Sequence, residues 1–494
     1  MRVVVKKSNA DVVADAALVL TCFQGTSAPE MRCGTIAPLI ARLIESGEFG
    51  GKLLQTALIH TEGKHPSARI LLVGLGKKEE FYRDIIRQAV TKAVHFLSDI
   101  GVKSFSIALP PADIPPEDSA ACIAEGAILA NYSFTSFKTP EKEEPKKEID
   151  EVTIIVGEKE RAVADSVSRA VITAEAANYA RELANTPANI ATPAYMAGVA
   201  RRLAKECKLK ISVYGKEQLR KMGFNALLSV ASGSAQPPYL VVLEHNAGKG
   251  LPSICLVGKG ITFDAGGISL KPSEGMEKMK WDKSGACAVL GVMRAVSRLG
   301  LPLHVIALLP FTENLPSGKA SRPGDIVRAV DKKTIEIVNT DAEGRLILAD
   351  TIAFACQKFK PRALIDIATL TGAVLVALGS QCAAVLGDSE LVGPLKAAGE
   401  ATHERLWELP LWKDYFEYMK SANADIANIS QYKEAGTITG AVFLKKFVPE
   451  EVKWAHIDIA GVAWMERDRH YWRKGSATGF GVRLLTKFLE SWRG

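Results

Sequence analysis

Short apolar runs that favour strands alternate with helix-like runs along most of this 494-residue chain. In the first third, strand-like runs at 17–22, 70–76 and 152–156 are separated by helix-like runs at 79–97 and 116–132. Strands that alternate with helices are typical of α/β architecture. The same alternation continues to the end of the chain. We therefore predict an α/β protein of two domains, a smaller N-terminal one and a larger C-terminal one with a mixed central sheet.

Two carboxylates and a guanidinium follow the strand-like run at 334–338, where a helix-like run begins. Asp341 and Glu343 are two residues apart, so their side chains leave an extended chain on the same side and can converge on one cation. A second interpretation is structural, because Thr340 and Glu343 also fit a helix capping box. This stretch alone leaves both interpretations open.

A second polar segment lies about 80 residues upstream, after the buried strand-like run at 253–257. That run leads to Lys259, which without further information is a salt-bridge partner. Together the two segments hold four carboxylates, at Asp264, Asp282, Asp341 and Glu343. Their charge of −4 balances two divalent cations, and paired metal ions commonly serve hydrolysis. Oxygen ligands suit Mg, Mn or Zn, so residue type does not identify the metal.

The segments NTDAEGRLILAD (339–350) and VGKGITFDAGGISLKPSEGMEKMKWD (257–282) resemble signatures of the leucyl aminopeptidase family, which includes the cytosol aminopeptidases. Further segments are similar to other blocks of that family in the same order, at 185–189, 364–372, 436–441, 454–461 and 477–484. Together they cover most of residues 180–490. The first 160 residues carry no comparably specific motif.

The resemblance implies a metal-dependent aminopeptidase that releases N-terminal amino acids by attack of a metal-bridged water, with broad specificity and a preference for leucine-like residues. It implies two divalent metal ions, Mn or Zn, held by Lys259, Asp264, Asp282, Asp341 and Glu343. Residues 138–151 are charged and hold two prolines, which predicts a solvent-exposed loop. The helix-like run after it predicts a connecting helix over 161–185, between a macro-like α/β domain over 1–160 and a catalytic domain over 186–494.

The resemblance also implies roles for the side chains around the metals. Lys271 is expected to donate to the carbonyl oxygen of the substrate as negative charge develops there, and Arg345 is expected to hold a bicarbonate that shuttles protons. The residues expected to bind substrate are Lys271, Met279, Asn339, Thr369, Leu370 and Gly372. Peptides are the expected substrates, and a homohexamer is the implied assembly.

One residue departs from the family pattern. Lys283 stands where the family more often has methionine, directly after the metal-binding Asp282. Its ammonium group either lies beside the metals, where it would change metal preference, or points away from them. Further along, His456 and Asp458 lie in an apolar strand-like run, and we expect both to be hydrogen-bonded core residues.

Two other functions remain open from the sequence. DNA binding or regulation is known for some relatives and would need a basic surface, but the net charge of +7 is spread along the chain without a Lys/Arg block. Nucleic-acid binding is therefore possible, but nothing in the sequence supports it. A phosphoesterase could use the same two metals, and only the family match argues against it.

Cysteine usage and hydropathy indicate the compartment. The eight cysteines are scattered without a CxxC pair, which fits buried thiols in a reducing cytoplasm. Asp11 and Asp15 interrupt the first apolar stretch, so we expect no signal peptide. No run of 18 apolar residues occurs in the sequence, and we expect no membrane span.

Overall fold

The computed structural model describes residues 1–27, 34–139, 148–157 and 159–494. The chain divides into two compact units: a first unit of Met1–Glu175 with Arg467–Arg473, and a second unit of Ala176–Glu466 with Lys474–Gly494. Each unit is built from helices and strands around its own sheet. The boundary between the two units, after Glu175, lies within helix α4 (Glu160–Asn185). The domain limits at 160 and 186 stay predictions.

The described part of the first unit contains a six-stranded sheet in the order β1-β6-β5-β2-β4-β3. All neighbouring strands are parallel except β3, which runs antiparallel to β4. The strands are β1 (Arg2–Lys7), β2 (Leu18–Cys22), β3 (Thr56–His60), β4 (Arg69–Gly74), β5 (Ser104–Ala108) and β6 (Glu151–Val156). The helices are α1 (Ala37–Glu45), α2 (Asp84–Asp99), α3 (Pro116–Ala130) and the first part of α4.

Strand β1 was not predicted from the sequence. Its six residues, RVVVKK, are all half-buried or exposed, because β1 lies at the edge of the sheet and pairs only with β6. A short edge strand lacks the fully apolar run that marks a central strand. The charged loop predicted at 138–151 falls largely on residues 140–147, which lie outside the described residues.

The second unit is organised around a nine-stranded sheet, counted over the residues that the structure describes. Its order is β16-β15-β18-β14-β9-β11-β8-β7, and β10 pairs with the end of β11. The strands are β7 (Lys210–Gly215), β8 (Tyr239–His245), β9 (Ser253–Gly258), β10 (Gly260–Asp264), β11 (His304–Asn314), β14 (Ala363–Ala368), β15 (Ala383–Gly387), β16 (Leu406–Glu408) and β18 (Lys453–Asp458). A separate three-stranded sheet contains β12 (Asp325–Arg328), β13 (Thr334–Ile337) and β17 (Ile426–Ala427).

The central strands β18, β14, β9 and β11 are parallel, whereas β8, β7 and β15 supply antiparallel pairings. The sheet is therefore mixed, as predicted. The carboxyl ends of parallel strands meet at one edge, and ligand sites of α/β sheets collect there. Lys259 follows β9 and Thr369 follows β14 at this edge.

Helices pack around these sheets. They are the remainder of α4, then α5 (Pro193–Cys207), α6 (Lys216–Met222), α7 (Asn225–Ala231), α8 (Ser284–Leu299), α9 (Glu343–Phe359), α10 (Gly372–Leu378), α11 (Ser389–Thr402), α12 (Asp414–Glu417), α13 (Gly436–Lys445) and α14 (Val482–Ser491). Helix α8 approaches the sheet very closely, because a Cβ at Gly285 would lie 2.2 Å from the carbonyl oxygen of Ile367. This packing brings the start of α8, and Asp282 just before it, to the carboxyl edge of the sheet.

Two expectations about the whole chain can be compared with the structure. Seven cysteines lie in the described residues, six of them buried, and Cys33 lies outside those residues. Among the helices of the described residues, none is long and apolar enough to cross a membrane.

Candidate metal centre

Three chain segments bring the predicted metal ligands together. The first supplies Lys259, between β9 and β10, and Asp264, the last residue of β10. The second is a 3-10 helix, Met276–Trp281, which is followed by Asp282. The third is the turn between β13 and α9, where Asp341 lies in the turn and Glu343 is the first residue of the helix.

Lys259 lies at the centre of one half of the site. Its Nζ is 2.8 Å from Asp282 Oδ1 and 2.8 Å from Glu343 Oε1, and it donates to the carbonyl oxygen of Thr369 at 2.8 Å. Asp282 Oδ1 also accepts a hydrogen bond from Thr369 Oγ1 at 2.7 Å. The ammonium group of Lys259 thus occupies a position surrounded by three oxygen atoms, as a cation would.

Lys271 has the same relation to the other half of the site. Its Nζ lies 2.9 Å from Asp264 Oδ2 and 2.6 Å from Asp341 Oδ1. Whereas the side chain of Lys259 is 3% exposed, that of Lys271 is 21% exposed. Lys271 therefore lies in the more exposed half of the site.

Oxygen atoms of Asp264, Asp341 and Glu343 lie within 4.8 Å of one another. The sequence predicted that Asp341 and Glu343 would converge because the chain is extended between them. That reason is wrong, since Asp341 lies in a turn and Glu343 begins α9. The two carboxylates converge although Asp341 is half-buried in the turn and Glu343 is buried in the first turn of the helix.

Crowding of carboxylates in a buried place shifts their pKa values. Burial and the neighbouring Glu343 together raise the pKa of Asp264 to about 7, against the opposing effects of Lys271 and Lys259. Burial also raises the pKa values of Asp282 and Asp341. In Glu343 the two lysine ammonium groups outweigh burial, and the pKa is lowered. These are the shifts expected where several like charges share a site.

The donor set fits divalent cations. Asp282 Oδ2 is buried and has no hydrogen-bond partner among the described residues, although an unpaired buried carboxylate oxygen is costly. Oxygen-rich sites suit hard or borderline cations such as Mg, Mn and Zn. Lys259 fits only as a neutral amine, whereas the carboxylates beside it overcome the effect of burial and raise its pKa. The positive charge of divalent cations in the site would oppose the carboxylates and lower the pKa of Lys259.

Thr340 does not cap α9. The residue before the helix is Ala342, without a side-chain cap hydrogen bond. Thr340 Oγ1 instead donates to the carbonyl oxygen of Gly266 at 2.7 Å and accepts from Ser269 N at 2.8 Å. The capping-box interpretation is therefore wrong, and Thr340 joins the turn before α9 to the loop after β10.

Arg345 is buried in the first turn of α9. Its Nη1 donates to the main-chain carbonyl oxygen of Asn428 at 2.8 Å. Burial lowers the pKa of Arg345 to about 10, against the attraction of Glu343 and Asp458. The guanidinium thus lies beside the carboxylate cluster and is held by a neutral carbonyl group.

The predicted substrate-binding residues lie on the segments that carry the ligands. Half-buried Met279 is in the 3-10 helix before Asp282, and Asn339 Oδ1 accepts from Asp341 N at 2.8 Å. After β14, Leu370 is half-buried and Gly372 is the exposed first residue of α10. Of this set, Thr369 and Lys271 contact the cluster directly.

Lys283 points away from the carboxylates. Its fully buried ammonium group donates to the main-chain carbonyl oxygens of Ala184, Thr186 and Lys280, with the first two at 3.2 and 2.9 Å. Burial lowers the pKa of Lys283 to about 8. Of the two alternatives left by the sequence, the structure shows the second.

Asn314 was not identified from the sequence. Its Nδ2 donates to Asp264 Oδ1 at 2.9 Å and to the carbonyl oxygen of Thr340 at 3.0 Å, so it connects two ligand-bearing loops. A signal existed, since Asn314 ends the long apolar strand β11.

Asp458 is buried and hydrogen-bonded as expected, and its carboxylate accepts from Leu370 N at 3.0 Å and from Thr371 Oγ1 at 2.6 Å.

Comparison with known proteins covers nearly the whole chain. Residues 178–486 match the catalytic domain of the cytosol aminopeptidase family, and residues 5–141 match its N-terminal domain. The chain belongs to the cytosol aminopeptidase family. Its relatives in the family include the probable cytosol aminopeptidase of Geobacter sp. (strain M21), 47% identical over 99% of this chain and 100% of the relative. That of Roseiflexus castenholzii is 43% identical over 100% of this chain and 99% of the relative.

Solved structures agree with this membership. The bottromycin maturation enzyme BotP in complex with Mn has a TM-score of 0.86 and 33% identity, over 97% of this chain and 99% of BotP. Membership in the cytosol aminopeptidase family confirms the predicted resemblance, the two-domain α/β fold and the enzyme class, an aminopeptidase. It also supports a divalent metal as cofactor.

Proposed function

We propose that this chain is a dinuclear metal-dependent aminopeptidase. The observation that carries the proposal is the convergence of carboxylates from two distant segments: ligand atoms of buried Asp264 and Glu343 and half-buried Asp341 lie within 4.8 Å of one another. Such a concentration of negative charge is stable only with cations inside it. The ammonium groups of Lys259 and Lys271 supply part of the positive charge that balances these carboxylates.

Five residues would hold two divalent ions, Mn or Zn: Lys259, Asp264, Asp282, Asp341 and Glu343. The manganese in BotP favours Mn for a first test. The chemistry that such cations supply is polarisation of a carbonyl group and activation of water at neutral pH. In the metal-loaded enzyme Lys259 would bind as a neutral amine, because the charge of the cations would offset the carboxylates and lower its pKa.

Two cationic side chains serve the reacting peptide. Lys271 is the more exposed lysine of the site, and its ammonium group donates to the carbonyl oxygen of the scissile bond as negative charge develops there. Arg345 keeps donors beyond the one that Asn428 accepts. Arg345 would hold a bicarbonate ion, which would supply the proton-shuttle chemistry that a histidine supplies in other hydrolases.

The resemblance to the family suggests how specificity would arise. Met279, Leu370 and Gly372 would line an apolar pocket, and Asn339 and Thr369 would orient the peptide backbone. Such a pocket favours leucine-like first residues, but each methylene discriminates by only about 1–3 kcal/mol. The enzyme therefore accepts many peptides. We further propose a homohexamer in the cytoplasm with a catalytic domain over 186–494.

The test is hydrolysis of leucine p-nitroanilide, free or N-acetylated, by metal-stripped protein resupplied with Mn²⁺ or Zn²⁺. We expect metal-dependent cleavage of the free substrate alone. Asp341→Ala should lose more than the roughly 10- to 100-fold typical of outer-shell changes. Asp414→Ala, a change at an exposed aspartate at the start of α12, is the matched control and should retain full activity.

Phosphate esters assayed in parallel separate this proposal from its main rival. Both reactions can use the same pair of metals, so only the substrates distinguish the two enzymes. A phosphoesterase would cleave p-nitrophenyl phosphate and leave the leucine substrate intact. Cleavage of the acetylated substrate would instead indicate an endopeptidase or esterase and contradict the exopeptidase mechanism.

A further inference from the structure

Asn428 is fully buried and lies directly after β17. Strand β17 pairs in parallel with β13, the strand that leads into the turn with Asp341. The main-chain N–H of Asn428 donates to the carbonyl oxygen of Glu336 at 2.9 Å. This bond continues the pairing of the two strands by one residue and brings the Asn428 side chain against the turn.

Both ends of the Asn428 amide bind the backbone of that turn. Oδ1 accepts from Val338 N at 2.8 Å and from Asn339 N at 3.2 Å. Nδ2 donates to the carbonyl oxygen of Asn339 at 2.6 Å and to that of Ala342 at 3.5 Å. A single side chain thereby binds backbone groups on both sides of Asp341.

The main chain of Asn428 reaches a second element of the site. Its carbonyl oxygen accepts from Arg345 Nη1 at 2.8 Å. The residue therefore contacts the turn before α9 and the guanidinium in the first turn of α9. On the opposite side, Thr340 holds the same turn to the loop after β10, through Gly266 and Ser269. The position of Asp341 depends on these two anchors.

We propose that Asn428 is a positioning residue for the metal centre: it sets the turn at 338–342 so that Asp341, Glu343 and Arg345 converge. The inference rests on the proposed function and names a residue that does not touch metal or substrate itself. Outer-shell partners of metal ligands typically contribute about 10- to 100-fold to metal affinity or activity, and a carboxylate displaced by about 1 Å is enough for such a loss.

The substitution Asn428→Asp separates positioning from packing. Aspartate has the same shape and retains the accepting Oδ1, but it places an oxygen against the carbonyl oxygens of Asn339 and Ala342. Asn428→Ala removes all four side-chain bonds. Asn423→Ala is the matched control, because Asn423 is exposed on the same segment and its Nδ2 donates to Glu336 Oε1, outside the turn.

The measurements are Mn²⁺ affinity of metal-stripped protein by electron paramagnetic resonance, and kcat and KM with leucine p-nitroanilide. For both Asn428 variants we expect Mn²⁺ affinity and kcat to fall by about 10- to 100-fold, with KM at saturating Mn²⁺ changed much less. Asn423→Ala should match the wild type. A merely structural role would lower the melting temperature and leave Mn²⁺ affinity and kcat of the folded fraction unchanged, and that result would overturn the proposal.

Two further outcomes are informative. If wild-type protein neither binds Mn²⁺ nor cleaves the substrate, the proposed function fails before Asn428 is considered. If both variants fail to fold, hydrogen exchange of wild-type protein decides the question: slow exchange at the amides of Val338 and Asn339 supports the anchor. Exchange as fast as at exposed amides excludes it.

Discussion

Asp366, His456 and Trp454 form a buried polar chain on the adjacent strands β14 and β18. His456 Nδ1 lies 2.5 Å from Asp366 Oδ1, and Trp454 Nε1 donates to Asp366 Oδ2 at 2.8 Å. Burial lowers the pKa of His456, but the Asp366 carboxylate has the larger combined effect and the pKa is raised. The core position predicted for His456 is correct, although its Nε2 has no hydrogen-bond partner among the described residues.

This pair predicts a pH dependence of stability. The raised folded-state pKa means that the His456–Asp366 interaction stabilises fully below the unfolded-state pKa of about 6.5. Its contribution is lost as the pH rises through the folded-state value. The melting temperature of wild type should therefore exceed that of His456→Asn most at acidic pH, and the difference should shrink above about pH 6.5. Calorimetry across this range tests it, with His60→Asn at an exposed position as control. A difference independent of pH would contradict the charged pair.

At the scale of elements, the first turn of α9 is shaped to admit a side chain from another segment. A Cβ at Gly344 would lie 2.5 Å from Lys259 Cε. Glycine is unfavourable in a helix by about 1 kcal/mol relative to alanine. The site therefore retains a residue that weakens the helix, because only glycine leaves room for the lysine between Asp282 and Glu343.

Gly344→Ala should accordingly lower activity while the helix itself gains propensity. The added methyl group displaces Lys259, and we expect kcat to fall by at least about 10-fold, the lower range for disturbed partners of metal ligands. The control is Gly393→Ala in α11, where an added Cβ has no atom within 4 Å. Activity assays and Mn²⁺ titration of both variants decide the matter. Full activity of Gly344→Ala would mean that Lys259 adapts and is not required in its present position.

At the scale of the whole molecule, the metal centre joins segments that are distant in the chain. Lys259, Asp282 and Glu343 belong to three separate segments of the second unit, and their charges meet in a buried place. A cation that binds these groups binds the folded chain and not the unfolded one. Its affinity is therefore added to the free energy of unfolding.

Mn²⁺ should raise the melting temperature of metal-stripped protein. At a free concentration about 100 times the dissociation constant, the gain in unfolding free energy is about 2.7 kcal/mol. This corresponds to several degrees for a domain of a few hundred residues. Differential scanning calorimetry measures the shift, and Asp341→Asn should reduce it. An equal shift in Asp341→Asn would place the stabilising metal outside the carboxylate cluster.

The proposed metal ligands were predictable from two contiguous segments, 257–282 and 339–350, because these segments resemble family signatures and such signatures are local in the chain. The alternation of strands and helices likewise predicted two α/β units. The local pattern could not predict which distant partner a side chain would bind. Thr340 fits a helix cap in sequence, yet it binds Gly266 and Ser269 in a loop about 70 residues away.

The order and type of the elements and the chemistry of the ligands were therefore determined by the sequence alone, since each depends on neighbouring residues. Only the tertiary structure decided that Lys283 points toward Ala184 and Thr186, and that Asn428 holds the turn at 338–342. These contacts join residues about 90 positions apart, and hydrogen bonds across such distances leave no periodicity in the chain. They form only when the packing of sheets and helices brings the partners to within about 3 Å.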